Sequence, residues 1–107
     1  MKQITAEDVF GDLRNEKNIV LVDVRTPEEY VKAHIHGAIN IPLDTLAADI
    51  QQKIPDKSTP IYLYCLSGSR SIHGAMTLEH LGYTNICDMQ NGLLAWRIKR
   101  FPLESRS

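Results

Sequence analysis

Cysteine is scarce in this chain: 107 residues hold only Cys65 and Cys87, 22 positions apart and without Cys-X2-Cys spacing. That pattern excludes a disulfide framework and a cysteine zinc site. An excess of one charge is lacking too. Twelve Lys and Arg face thirteen Asp and Glu, the formal net charge is -1, and the basic residues are dispersed. No electrostatic footprint for nucleic acid or for an anionic membrane results. The apolar runs are strand-length and none approaches the roughly 18 residues of a membrane span. Met1-Lys2-Gln3-Ile4 has no apolar signal-peptide core, so the expected location is cytoplasmic. Repeats, low-complexity tracts and long linkers are also absent, and the length suits one core, hence one domain over residues 1–107.

What is present alternates. Thr5 and Asp8 announce a first helix with Val9, Phe10 and Leu13 on one face. Ile19 to Val24 is an almost unbroken branched apolar run, as expected of a strand buried on both faces. Thr26-Pro27-Glu28-Glu29 combines a capping box with proline at the first helical position. Ala38 to Ile41 reads as a short strand, and Asp44 as the cap of a helix bearing Leu46, Ile50 and Ile54. A loop over 55–60 precedes the strand Ile61-Tyr62-Leu63-Tyr64. Further on come a helix from about Ser71 to Leu81 stopped by Gly82, a strand over Ile86 to Met89, and a closing helix from Asn91 to Lys99 with Trp96 inward. Strands alternating with helices predict an α/β fold, a three-layer parallel sheet flanked by helices on both faces.

The most informative stretch begins where the fourth apolar run ends, at Cys65-Leu66-Ser67-Gly68-Ser69-Arg70-Ser71. A strand ending in cysteine, a turn of small residues and a following helix aim backbone N–H groups at one point, the sulfur or what it holds. Loop amides, helix dipole and the Arg70 guanidinium all favour negative charge there, so the thiol is expected to ionise more readily than a free one. Gly68 supplies a positive φ if the cradle needs one. Cys65 is the expected nucleophile, with Leu66, Ser67, Gly68, Ser69, Arg70 and Ser71 as the substrate-binding cradle. Four residues separate Cys65 from Arg70. Cysteine phosphatases and arsenate reductases use five around a tetrahedral oxyanion, and the smaller ring suits a terminal sulfur better.

Arg70 has two expected uses, contact with the substrate anion or a clamp on loop carbonyls. Asp23 and Arg25, with Glu28 and Glu29 close in sequence, read as a supporting ion-pair network under the loop rather than as catalysts. His73 is the one histidine placed to be watched as an acid or base, while His36 and His80 read as surface. Cys87 reads as core filling, with a resolving thiol as its alternative.

The loop resembles the active loop of the rhodanese family, and two flanking stretches match as well. Val20 to Tyr30, continuing through His34-Ile35-His36-Gly37-Ala38-Ile39-Asn40-Ile41-Pro42, is similar to the family's N-terminal motif. Gly82-Tyr83 through Asn91-Gly92-Leu93-Leu94-Ala95-Trp96 resembles its C-terminal motif. Ala33 and His36 depart from the usual glycine and proline around His-Ile, and Asn91-Gly92 replaces a frequent Gly-Gly pair, a change asparagine absorbs by tolerating left-handed backbone. The resemblance implies a rhodanese-like fold and a sulfurtransferase that moves sulfane sulfur from a donor such as thiosulfate to a thiol or cyanide through a Cys65 persulfide. It implies no metal and no organic cofactor, and it gives His34 a structural hydrogen bond. The alternative reading is a sulfur-carrier or persulfide-relay module whose acceptor is a protein, with weak activity on small molecules.

Overall fold

Both threonine caps are formed. Thr5 accepts the Asp8 N–H at 3.1 Å while the Asp8 carboxylate accepts the Thr5 N–H at 3.2 Å, and Thr26 and Glu29 make the same reciprocal pair at 3.3 and 3.2 Å. Each box satisfies two donors that a helix start leaves unpaired. In the computed structural model, which describes residues 1–106, the elements run β1 (Lys2–Ile4), α1 (Ala6–Arg14), β2 (Val20–Asp23), α2 (Pro27–Lys32), β3 (Ile39–Asn40), α3 (Leu43–Lys53), β4 (Ile61–Tyr64), α4 (Ser69–His80), β5 (Ile86–Met89) and α5 (Gly92–Ile98). Ser107, the last residue of the expected 1–107 domain, lies outside the described residues.

The five strands form one sheet in the order β1-β5-β4-β2-β3, and every neighbouring pair is parallel. One apolar cluster packs α3 and α4, through Leu46, Ile50, Ala75 and Leu78, on Val22, Ile61, Leu63 and Ile86. A second packs α1, α2 and α5, through Val9, Tyr30, Leu93 and Trp96, on Leu21, Tyr62, Tyr64 and Met89. Helices therefore cover both faces, as the alternation predicts. Trp96 is buried, its indole N–H donating to the Pro102 carbonyl at 2.9 Å.

β2, β3 and α5 are each one residue shorter at both ends than the sequence reading, and three differences are larger in consequence. β1 went unread, because three residues ending in one buried isoleucine give no periodicity; it holds its place by pairing with β5. Asp44 is not a cap. The helix starts after Pro42 with no side-chain cap, and Asp44 lies in its first turn, where a negative charge still suits the dipole. α4 starts at Ser69, two residues earlier than expected, so Arg70 and Ser71 belong to the helix and the loop after Cys65 is only three residues long.

Candidate active site

β4 is the middle strand and buried along its whole length, and Cys65 follows directly at its carboxyl end. Open parallel sheets bind ligands at that edge. The chain turns at Gly68, whose φ of 99° no side chain tolerates comfortably, and enters α4. The turn brings two backbone donors onto the sulfur: Cys65 Sγ accepts the Gly68 N–H at 3.1 Å and the Ser71 N–H at 3.3 Å. The Ser71 hydroxyl stands 3.6 Å from the same sulfur. Gly68 and Ser71 are thus the cradle's contacts. Ser67 and Ser69 are exposed and bond each other at 3.2 Å, and Leu66 is half-buried against the α5 side of the sheet.

Cys65 is fully buried. The thiol is therefore enclosed rather than presented at an open surface, but its enclosure is polar, with two N–H groups positioned to solvate an anionic sulfur. His73, exposed on α4, forms none of these contacts.

The loop is held from behind by a contact that the sequence reading missed. Asn91 adopts left-handed backbone (φ 60°), as anticipated, and delivers Gly92 against the loop. From there the Leu93 N–H donates to the Cys65 carbonyl and the Leu94 N–H to the Leu66 carbonyl, each at 3.0 Å. The only signal was glycine at the head of a helix, where a side chain would ordinarily be tolerated.

Arg70 and Glu29 lie 41 positions apart and form a bidentate pair, Nη1 to Oε1 at 2.7 Å and Nη2 to Oε2 at 3.0 Å. In this structure the guanidinium is engaged by a carboxylate of α2 rather than by loop carbonyls. Glu29 both closes the α2 capping box and anchors the cation beside the cysteine. The Arg70 hydrogen bond is the main reason that the Glu29 carboxyl titrates at about 2, down from 4.5. A depressed carboxyl contributes stability that is fully present above its unfolded value and is lost as the pH falls through its folded one. Both side chains are about one-third exposed, so the net contribution is about 1 kcal/mol or less. Glu29→Gln should consequently be less stable than the wild type at pH 6 and converge with it as the pH approaches 2. Thermal melts across that range check this, and a gap that persists at the lowest pH would contradict it.

Asp23 and Arg25 form a second pair, this one buried, with Nη2 to Oδ2 at 2.8 Å and the Arg25 N–H donating to Oδ1 at 2.9 Å. Asn40 ties β3 to it through the carbonyls of Asp23 and Arg25. His34 stacks on Tyr30 and donates from Nδ1 to the Tyr30 carbonyl at 2.6 Å, a structural bond. His36 and His80 are exposed. Cys87 is half-buried against the α1 and α5 side, level with Tyr62, and burial pushes its thiol up.

The rhodanese-like domain family matches residues 6–99. The chain belongs to that family. It is 40% identical over 65 residues to the thiosulfate sulfurtransferase PspE of Escherichia coli, covering 61% of this chain and 62% of that protein. Among solved structures, a thiosulfate sulfurtransferase from Pseudomonas aeruginosa superposes with a TM-score of 0.89 at 28% identity, over 99% of this chain and 20% of that one. A rhodanese-like domain protein from Staphylococcus aureus matches over the full length of both chains, with a TM-score of 0.82 and 32% identity. The rhodanese-like fold read from the three motifs is the fold observed. Within it, Cys65 occupies the end of the central strand and the Cys-X4-Arg loop wraps its sulfur.

Proposed function

We propose that this rhodanese-like domain is a sulfurtransferase whose Cys65 carries sulfane sulfur as a persulfide. The observation behind the reading is the sulfur held at 3.1 and 3.3 Å by the Gly68 and Ser71 amides in a Cys-X4-Arg loop, and the names of the relatives agree with it. The Cys65 thiolate attacks the outer sulfur of thiosulfate. A bond forms between Sγ and that sulfur, the S–S bond of thiosulfate breaks, and sulfite leaves with the electron pair. Cyanide or a thiolate then attacks the terminal sulfur, and Sγ regains the electron pair as thiolate. Arg70 balances the anionic donor when Glu29 shares it, and Asp23 with Arg25 braces the neighbouring strand end.

A covalent intermediate requires ping-pong kinetics, so double-reciprocal plots for thiosulfate and cyanide should be parallel. The same protein should not hydrolyse para-nitrophenyl phosphate or reduce arsenate with a thiol, because the short ring leaves no room for a tetrahedral oxyanion. Phosphatase turnover matching the sulfur transfer would remove this reading. The carrier alternative is favoured by Leu94, half-exposed beside the loop and bonded to Leu66. It predicts a persulfide that forms readily yet passes slowly to small acceptors.

A further inference from the structure

Glu29 and Arg70 each stand in the first turn of a helix, and both helices begin where a strand has ended, α2 after β2 and α4 after β4. β2 and β4 are neighbours, with Asp23 level with Tyr64, the residue before Cys65. α4 packs on one face of the sheet and α2 on the other. A side-chain contact between the two helix starts therefore passes over the carboxyl edge of the sheet. The Arg70–Glu29 pair makes that crossing at the end of β4, and it straps the edge beside the cysteine.

Cys65 has no accessible surface, so a donor reaches Sγ only after part of its enclosure gives way. The loop is backbone pinned by hydrogen bonds, from the Gly68 and Ser71 amides to the sulfur and from the Leu93 and Leu94 amides to the loop carbonyls. The strap is side chain alone, and both of its partners are about one-third exposed. Exposed ion pairs are weak, so the strap exchanges with an incoming anion more readily than the loop opens. Its two halves are not held alike. Glu29 Oε1 also accepts the Thr26 N–H and the Thr26 hydroxyl, each at 3.2 Å, so the cap of α2 fixes the carboxylate while the guanidinium hangs from it. The other guanidinium at this edge, that of Arg25, is buried and matched by Asp23.

We propose that Glu29 sets the charge of the sulfur donor that Cys65 accepts: an anionic donor must take the Arg70 guanidinium from Glu29, and the carboxylate, anchored by Thr26, stays beside the entrance. There it cancels much of the attraction that Arg70 offers. Coulomb energies scale with the charge of the donor, so a dianion, which would gain most from a free guanidinium, loses most. Glu29 thereby shifts the preference of the site from dianionic donors toward singly charged sulfane donors such as thiosulfonates. It is a positioning residue, since it acts through Arg70. The proposal rests on the sulfur-transfer reading above and adds the charge class of the donor.

The test compares thiosulfate with methanethiosulfonate, in which a methyl group replaces one charged oxygen. With either donor a bond forms between Sγ and the terminal sulfur, the S–S bond of the donor breaks, and sulfite or methanesulfinate leaves with the electron pair. Cyanide is the acceptor in both assays, and kcat/KM for the donor reports the first transfer. Glu29→Gln keeps the capping oxygen and removes the charge. The ratio of kcat/KM for thiosulfate to that for methanethiosulfonate should then rise roughly three- to tenfold, carried by KM, and the rise should shrink at about 0.5 M salt. Arg70→Gln leaves the Glu29 charge unmatched, so the same ratio should fall, and this variant decides if Glu29→Gln does not fold. A loosened loop would instead change both donors in proportion. A ratio that stays put in either variant overturns the proposal. Intact mass separates the two readings: a Cys65 sulfur adduct with an unmoved ratio sinks the charge selection alone, whereas no adduct from either donor in the wild type sinks the transfer reading and this inference with it.

Discussion

Cys65→Ser protein incubated with thiosulfate should gain no mass, whereas Cys87→Ser should gain about 32 Da, one sulfur atom, which cyanide or dithiothreitol removes because a persulfide is open to thiol exchange. Sulfur transfer should fall by on the order of 10⁴-fold or more in the first variant, as when a nucleophile is deleted from a covalent mechanism, and stay near wild type in the second. Geometry separates the two thiols. Cys87 is level with Tyr62, three residues before Cys65, which is about 10 Å along a strand. It also packs on the opposite face of the sheet. Cys87 therefore cannot attack a persulfide on Cys65 without dismantling β4 and β5, and the resolving-thiol alternative has no path. An adduct that survives Cys65→Ser and disappears with Cys87→Ser would overturn the assignment.

The same two cysteines show what local sequence can and cannot carry. The apolar run into Cys65, the small residues after it and the branched run from Ile19 to Val24 are local signals, and with the alternation of elements they pointed to the parallel sheet and to the sulfur at its edge. Gly68 and Asn91 were legible because backbone chirality is a property of single residues. What was hidden depends on the sheet bringing distant segments together. The partner of Arg70 is a capping residue on another helix, and nothing in either neighbourhood names the other. The early start of α4 was obscured for a simpler reason: Ser69 and Arg70 satisfy a turn as readily as a first helical turn, and only the Ser71 amide on Sγ selects the helix.

Gly92→Ala is expected to be the most damaging conservative change outside the loop itself. A Cβ built on Gly92 would lie 2.4 Å from the Cys65 carbonyl oxygen, 2.5 Å from that of Leu66 and 2.6 Å from the Leu66 carbonyl carbon. All three are backbone atoms, so no side chain can swing aside. The φ of 53° adds the strain of left-handed backbone. Either the start of α5 retreats, breaking the bonds from the Leu93 and Leu94 amides, or the Cys65 loop is pushed away from its own donors. Overpacking and strain together should cost about 3 kcal/mol, roughly 10–20 °C in Tm for a domain of this size. Gly11→Ala is the control: its Cβ meets nothing within 4 Å, and it lies inside α1, so it should gain up to about 1 kcal/mol from helix propensity. In the Gly92 variant that remains folded at low temperature, uptake of sulfur from thiosulfate should be slower than in wild type, because the carbonyl displaced first belongs to the nucleophile. A Gly92→Ala protein that melts within a degree or two of wild type and takes up sulfur at an unchanged rate would show that α5 does not position the loop.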